Sequence, residues 1–204
     1  MASMSDSLSV SLAATLQAAR VDRNLSINAL AERSGVSRAM ISKIERGEAQ
    51  PTAVLLGRLS GALGLTLSEL VARAEQADGT VELLRRAEDQ PLWTDPATGY
   101  RRRAVSPAAG GPLELVEVEL PPGASVSYPA DAYIFKYQQL WILAGQLRFH
   151  EGDQVHELAT GDCLQLGPPS PTTFHNPSGT PCRYLVALVK EPFEMRRHGG
   201  FSRD

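Results

Sequence analysis

Residues 25–47 read LSINALAERSGVSRAMISKIERG, and their pattern indicates how the first part of the chain folds. Apolar or small residues recur in it at helical spacing, at Ile27, Leu30, Ala31, Met40, Ile41 and Ile44. Gly35 interrupts the pattern, and glycine takes a positive φ without steric penalty, which a sharp corner between packed helices requires. Ala31, four residues earlier, is small enough to lie where the helices cross. The stretch therefore predicts two amphipathic helices joined by a tight turn.

The second of these helices is expected to have a polar outer face. Ser37 is a good N-cap residue, because its hydroxyl can accept a hydrogen bond from the backbone at the start of the helix. Beyond it, the polar face carries Arg38, Ala39, Ser42, Lys43 and Arg46. In a helix-turn-helix, such a face reaches base edges in the major groove. Arg38 is then the candidate for a bidentate guanine contact, while Arg46 and the amides of residues 47–52 suit phosphates.

Periodicity alone also allows a plain helical hairpin whose arginines and lysines only solvate its surface. The wider pattern, however, resembles the xenobiotic-response-element (XRE) family of helix-turn-helix domains across residues 8–72. The resemblance is carried by Ile44-Glu45-Arg46-Gly47, by Pro51 leading into an amphipathic helix, and by Ala62-Leu63-Gly64-Leu65 before another. It implies a five-helix bundle that binds double-stranded operator DNA through Ser37, Arg38, Ala39, Ser42, Lys43 and Arg46.

The composition limits the remaining function classes. A net charge of -3 over 204 residues argues against a protein that coats nucleic acid indiscriminately, because such binding needs many Lys and Arg contacts. The start, MASMSDSLSV, lacks a basic segment followed by an apolar run, and no stretch approaches the roughly 20 apolar residues of a membrane span. We therefore expect a cytoplasmic protein without a membrane partner.

The chain has two cysteines, Cys163 and Cys182. Two are too few for a disulfide scaffold, and they lack the paired spacing of a structural zinc site. We expect both to be packed, reduced thiols in a reducing compartment rather than a redox switch.

The composition of the sequence and the spacing of its apolar residues change near residue 75. Before that point it is rich in Ala and Leu at helical spacing. After Pro91 it consists of short alternating or apolar runs separated by turns with Pro and Gly, as in a β-sandwich or barrel. We therefore predict an α + β protein of two domains. A helix-turn-helix domain spans residues 1–75, a linker spans 76–91, and a β domain spans 92–198.

The β domain resembles a cupin, the small double-sheet jelly-roll barrel. The resemblance is carried by LELVEVELPPGASVSY at 113–128, by residues 139–166, and by TTFHNPSGTPCRYLVALV at 172–189, with Gly145 and Gly161 at corners. A cupin placed after an XRE domain matches a widespread family of bacterial regulators. This order implies a domain that senses an effector, forms dimers, or does both.

Cupins commonly hold a metal with histidines, and this sequence departs from that pattern. The resemblance puts Asp131, Tyr133, Gln138 and Thr172 at the ligand positions. That set contains no imidazole, the group that supplies most of the affinity for divalent transition metals. We therefore predict no bound metal and no cofactor. His150 and His175 remain candidates, although alternation along the strand is expected to point His175 outward.

The inward side chains predict an aromatic and amide pocket for a small organic effector. Its members are Tyr133, Gln138, Thr172 and Phe174, with Leu140 and either Trp141 or Ile142 beside them. The alternative is a domain whose polar sites have decayed and that only dimerises. The run Arg101-Arg102-Arg103 could bind phosphates or an anionic effector, but an alternating strand with a solvated edge is the interpretation that we favour for it.

These observations predict a sequence-specific DNA-binding transcription regulator, with repression as the default, acting as a homodimer on a palindromic or pseudo-palindromic site. An enzyme is not expected, because no Ser/His/Asp, Cys/His or paired-carboxylate constellation can be placed, and no catalytic residue is assigned. The alternative is a cupin enzyme, a metal-dependent oxygenase or isomerase, with a tethered DNA-binding domain. A third hypothesis is a protein-interaction adaptor with a vestigial DNA-binding domain.

Overall fold

The computed structural model describes residues 4–67, 70, 73–74, 83–107, 112–133 and 136–190. A helical part is followed by a β part, so the chain is α + β as predicted. The proposed linker begins outside the described residues, and the β domain was expected to end at residue 198, also outside them. The predicted domain boundaries therefore stay a prediction.

Four α-helices form the helical part. They are α1, Met4–Asp22; α2, Ile27–Ser34; α3, Arg38–Glu45; and α4, Ala53–Ala62. The last three begin at the hydroxyl N-caps Ser26, Ser37 and Thr52, each accepting a hydrogen bond from the backbone N–H three residues on. Gly35 ends α2 with a φ of 65°, as the predicted turn requires. Within the described ranges, no helix is long and apolar enough to cross a membrane.

The predicted five-helix bundle is corrected to four helices in the described structure. The fifth helix was expected after Leu65, where the chain has first turned out of α4 through Gly64 at a φ of 62°. Residues 67, 70, 73 and 74 are helical, but 68–69 and 71–72 lie outside the described ranges. Leu67 and Leu70 are buried, so this segment adds to the core of the helical part.

The helical part packs around a core of aliphatic side chains. Leu16, Leu30, Ile41, Ile44, Leu56 and Leu59 are at most 1% exposed. A bidentate ion pair joins α1 to α3, because Arg20 Nε lies 2.7 Å from Glu45 Oε1 and its Nη2 lies 2.8 Å from Oε2. The core and this ion pair fix the orientation of α3.

The β part consists of two antiparallel sheets. The order of the first is β1 (Leu92–Thr94), β2 (Arg101–Ala104), β3 (Leu113–Leu120), β10 (Cys182–Lys190), β5 (Lys136–Ala144), β8 (Cys163–Gln165). The order of the second is β4 (Ser125–Tyr128), β9 (Thr172–His175), β6 (Gln146–Glu151), β7 (Gln154–Ala159). Short 3₁₀ helices lie at Ala87–Asp89 and Ala130–Tyr133.

The described strands form two separate sheets, which corrects the predicted closed barrel. The first sheet has edges at β1 and β8, and the second has edges at β4 and β7. Aromatic rings pack between the sheets, since the ring centre of Phe174 lies 4.7 Å from that of Phe149 and 5.7 Å from that of Tyr184. Packing between inner faces, rather than one continuous ladder of hydrogen bonds, therefore joins the two sheets.

Alternation along the strands decides which side chains face the interior. In β9, Thr172 and Phe174 are buried and His175 is half-buried, in line with the predicted outward direction of the histidine. In β5, Ile142 is buried whereas Trp141 is 50% exposed. This result settles the open choice between the two in favour of Ile142.

Helix α4 packs against β4 and the 3₁₀ helix at Ala130–Tyr133. Two glycines allow this close approach. A Cβ added at Gly57 would lie 2.7 Å from Cδ1 of Tyr128, and one at Gly61 would lie 3.2 Å from the backbone oxygen of Asp131. One face of α4 therefore packs directly against the β part.

Two hydrogen bonds join the helical part to the β part, one at the first residue of α4 and one a few residues after its end. The N–H of Ala53 donates to Oδ1 of Asp95 at 3.2 Å, and the hydroxyl of Thr66 donates to Oε2 of Glu114 at 3.1 Å. Asp95 is itself buried and accepts a hydrogen bond of 2.6 Å from the hydroxyl of Thr98. The two parts of the chain are thus joined by specific hydrogen bonds as well as by close packing.

Candidate DNA-recognition helix and effector cavity

Helix α3 presents the polar face that the sequence predicts. Ile41 and Ile44 are buried on its inner side. Exposed or half-buried positions on the other side are Arg38, Ala39, Ser42, Lys43 and, just beyond the helix, Arg46. Because an α-helix turns by about 100° per residue, these five positions occupy an arc of roughly 140°. They form one contiguous surface.

The start of α3 is capped by Ser37, and an exposed cation follows the cap. The hydroxyl of Ser37 accepts a hydrogen bond of 3.2 Å from the N–H of Met40, so its oxygen caps the helix. The next residue, Arg38, has Nη1 at 3.4 Å from Oδ1 of Asn28 on α2, and this contact is exposed. A hydrogen bond of that length is weak, which leaves the guanidinium available for another acceptor.

Arg46 forms an ion pair with Glu48 at the other end of the face. Arg46 Nε lies 2.6 Å from Oε1 of Glu48 and its Nη2 lies 2.7 Å from Oε2, while Nη1 donates to the hydroxyl of Ser42. Hydrogen bonding to Glu48 raises the pKa of Arg46, and hydrogen bonding from Arg46 lowers the pKa of Glu48. Both groups are charged at neutral pH, so Glu48 offsets a cation that the sequence assigned to phosphate binding.

A cavity of about 50 Å³ lies between α4 and the β part. Helix α4 contributes Gly57 and Ser60 to its wall. The β part contributes polar side chains of Tyr100, Arg102, Tyr128, Tyr133, Gln138 and Tyr184 and apolar ones of Phe174, Val186 and Leu188. The cavity is therefore shared between the two parts of the chain.

Three of the four residues predicted for the effector pocket line this cavity, namely Tyr133, Gln138 and Phe174. Thr172 does not itself line the cavity, but its hydroxyl lies 2.6 Å from that of Tyr133. Thr172 thus positions the tyrosine. The sequence did not indicate Tyr100, Tyr128 or Tyr184, because their convergence depends on strand register and on the approach of α4.

The tyrosines give the cavity much of its hydrogen-bonding capacity. The hydroxyl of Tyr128 is buried and has no hydrogen-bond partner among the residues that the structure describes. Burial raises the pKa of Tyr128, Tyr133 and Tyr184 above the ordinary value of tyrosine. These three phenols are therefore neutral at neutral pH, and each hydroxyl can donate or accept a hydrogen bond.

Arg102 faces the cavity, which corrects the solvated-edge interpretation of Arg101-Arg102-Arg103. In the register of β2 with β3, Arg101 and Arg103 lie opposite Glu119 and Glu117, whereas Arg102 lies opposite the buried Val118. The alternation was predicted correctly, but the sequence does not say which side the middle residue takes. Nη1 of Arg102 donates to the hydroxyl of Tyr100 at 3.3 Å.

The guanidinium of Arg102 stays charged in this position. Burial alone lowers its pKa, but the neighbouring groups of Tyr100, Tyr128 and Tyr184 raise it by more, so the net shift is upward. A cation is therefore present in the cavity at neutral pH.

The two cysteines differ in exposure, which corrects the expectation of two packed thiols. Cys163 is exposed on the edge strand β8, opposite the exposed Trp141 of β5. Cys182 is buried, and burial raises the pKa of its thiol to about 11.

The metal prediction rests on Asp131, Tyr133, Gln138 and Thr172. In the part of the chain that the structure describes, no group of three or more His, Cys, Asp or Glu side chains is placed to hold a metal ion. His150 lies opposite Thr173, and both it and His175 are half-buried. That this chain binds no metal stays a prediction.

The outer face of the first sheet carries exposed apolar side chains. Val189 lies beside Leu113 of β3 and Tyr137 of β5, and these three are between 40% and 60% exposed. Trp141 lies further along β5 on the same face. We call these four residues the outer row.

Comparison with known proteins identifies the helical part. Residues 16–70 match the helix-turn-helix family HTH_3, so this segment is a helix-turn-helix domain. A stretch of 70 residues is 36% identical to the HTH-type transcriptional regulator SutR of Escherichia coli (strain K12), covering 34% of this chain and 39% of that protein. The chain thus spans about two fifths of the length of this curated relative.

A solved structure shares the arrangement of both parts. The HTH_3 family transcriptional regulator from Vibrio cholerae has a TM-score of 0.75 to this chain at 23% sequence identity. The similarity covers 92% of this chain and 99% of that chain. The fold of this chain, a helical part followed by two antiparallel sheets, is therefore shared with that protein.

Proposed function

We propose that this chain, whose residues 16–70 form a helix-turn-helix domain, is a DNA-binding transcription regulator with a cupin-like effector domain. The match to the helix-turn-helix family carries the proposal. The polar face of α3 supports it, because recognition helices insert such a face into the major groove. Repression is the proposed effect, and the cytoplasm, where operator DNA is accessible, is the proposed location.

The proposed DNA contacts follow the order of residues along α3. Arg38 reaches a guanine, Ser42 and Lys43 contact base edges one turn later, and Ala39 provides a small apolar contact. Ser37 fixes the start of the helix. Arg46 contacts a phosphate, which requires that a phosphate oxygen replace Glu48 as its partner.

We further propose that the regulator is a homodimer joined through the outer row. Standard protein interfaces bury roughly 1,200–2,000 Å² in total, and aromatic residues such as Tyr137 and Trp141 are enriched at their centres. To bind a palindromic site, a two-fold dimer must place its two copies of α3 in major grooves about 34–36 Å apart. The operator is therefore expected to be palindromic or nearly so.

Catalysis is not part of the proposed function. The helix-turn-helix match supports a binding role, and the residues at the cupin ligand positions include no imidazole. The β domain is proposed to bind a small molecule and to pair two chains.

The test is selection of genomic DNA fragments by the purified protein at physiological salt, followed by footprinting of the enriched fragment. Arg38→Ala is expected to weaken operator binding about 5- to 150-fold, the range for losing one bidentate base contact. Arg148→Ala is the matched control, because it removes the same charge from β6, where the arginine pairs with Glu157. Failure to enrich any fragment, or equal binding by both variants, would contradict the proposal.

A further inference from the structure

We propose that the cavity between α4 and the β part binds a small organic carboxylate through Arg102, and that α4 communicates this binding to the DNA-binding domain. The inference rests on the proposed function for its regulatory consequence. The binding site itself rests on the cavity, its charge and its donors.

The size of the cavity limits the ligand to a few atoms. A volume of about 50 Å³ corresponds to about three to five water molecules at roughly 10–15 Å³ each. Molecules with the size of propionate or pyruvate match this space. Larger effectors would require α4 to move.

The charge of the cavity selects an anion. Among the described residues that line it, Arg102 is the one charged side chain. Of the acids on β3, Glu117 and Glu119 lie on the outer face of the sheet, where they pair with Arg183 and Arg101, and Glu114 accepts a hydrogen bond from Thr66. A guanidinium presents its N–H groups in a planar fork that matches the two oxygens of a carboxylate.

The remaining lining matches the two ends of such a ligand. The buried hydroxyl of Tyr128 lacks a hydrogen-bond partner among the described residues and is available to donate to an anionic oxygen. The carboxamide of Gln138, on β5 of the other sheet, offers a further donor in the lining. Phe174, Val186 and Leu188 provide an apolar side for a short carbon chain.

Helix α4 is placed to respond to the ligand. Gly57 and Ser60 line the cavity, while Leu56 and Leu59 of the same helix are buried in the core of the helix-turn-helix domain. The ring of Tyr128, which also lines the cavity, packs closely against Gly57, where an added Cβ would lie 2.7 Å from its Cδ1. A ligand that displaces this ring therefore acts directly on α4, and it changes operator affinity if it binds the two positions of α4 unequally.

The first experiment measures binding to the full chain. Thermal unfolding and titration calorimetry are carried out with propionate and pyruvate, with propionamide as the neutral analogue and sulfate as an inorganic anion. The carboxylates are expected to raise the Tm by several degrees when present well above their Kd, and propionamide is not. An equal effect of propionamide, or a response to sulfate alone, would overturn the proposal.

Two cavity variants and one control variant test whether the carboxylate binds in this cavity. Arg102→Gln is expected to weaken carboxylate binding at least tenfold, whereas Arg103→Gln, the same change on the outer face of β2, is expected to leave it unaltered. Tyr128→Phe removes one hydroxyl and is expected to weaken binding about fivefold, which provides a second reading should Arg102→Gln fail to fold. Unchanged binding by both cavity variants would refute the site.

Operator binding separates this inference from the proposed function. A saturating carboxylate is expected to change the operator Kd of the unsubstituted protein and of Arg103→Gln at least fivefold, in the range typical of allosteric coupling. Carboxylate binding through Arg102 without any selective DNA binding would keep the site and reject the regulator. Operator binding with no response to any carboxylate would keep the regulator and reject the site.

Discussion

The contact between Gly57 of α4 and the ring of Tyr128 predicts an unusual effect of a glycine-to-alanine change. In a helix interior, replacing glycine with alanine ordinarily stabilises by about 1 kcal/mol. Here the new Cβ would lie 2.7 Å from Cδ1 and 3.0 Å from Cε1 of Tyr128. Overpacking of this kind costs about 1–3 kcal/mol. The net expectation for Gly57→Ala is therefore a free energy of unfolding lowered by about 0–2 kcal/mol.

A double-mutant cycle isolates the contact. Tyr128→Val removes the ring atoms that approach residue 57 and keeps a β-branched side chain suited to β4. In that background, Gly57→Ala is expected to stabilise by about 1 kcal/mol, so the coupling between the two changes is about 1–3 kcal/mol.

The assay is urea unfolding of all four chains, with the midpoint and slope compared among them. Fluorescence and far-UV circular dichroism are followed together, so that unfolding of the two parts is detected by separate probes. Stabilisation by about 1 kcal/mol in both backgrounds would refute the close packing of α4 on Tyr128.

Four other predictions follow from single features of the chain. Glu48→Gln is expected to raise operator affinity and steepen its salt dependence, because it leaves Arg46 without a competing carboxylate; a lower affinity in anisotropy titrations would contradict this. Cys163 is expected to react with a thiol reagent in the native protein and Cys182 only on unfolding, as mass spectrometry can show. The raised pKa of Cys182 means that the unfolded chain loses this proton first, so stability is expected to fall as pH rises from 9.0 towards 11. Trp141→Glu is expected to convert a dimer to a monomer in sedimentation experiments, and an unchanged mass would exclude the outer row as the interface.

The sequence predicted the features that neighbouring residues determine. The turn at Gly35 and the cap at Ser37 follow from backbone geometry and from one hydroxyl, and both are present as expected. The buried and exposed sides of α3 likewise follow from helical period alone. These signals are contained within a single turn or helix, so no knowledge of the tertiary fold is needed.

The sequence could not predict the features that depend on register and on contact between distant segments. The solvated-edge interpretation of Arg102 was wrong because a strand with arginine at three successive positions has the same pattern whichever face is inner. The exposure of Cys163 depends on β8 being an edge strand, which only the sheet order shows. The cavity was anticipated in part through Tyr133 and Gln138, but its wall from α4 requires the packing of one part of the chain on the other.

The close packing of α4 on the β part at Gly57 and Gly61 has a practical consequence for engineering. Exchange of the DNA-reading module is one way to redirect a regulator to a new promoter. Cutting this chain near residue 75 would replace α4 together with the rest of the reading module, and a donor helix with larger side chains at the positions of Gly57 and Gly61 would collide with Tyr128 and the backbone of Asp131. A chimaera that keeps glycine at both positions, or that grafts only the outward residues of α3, avoids these close contacts.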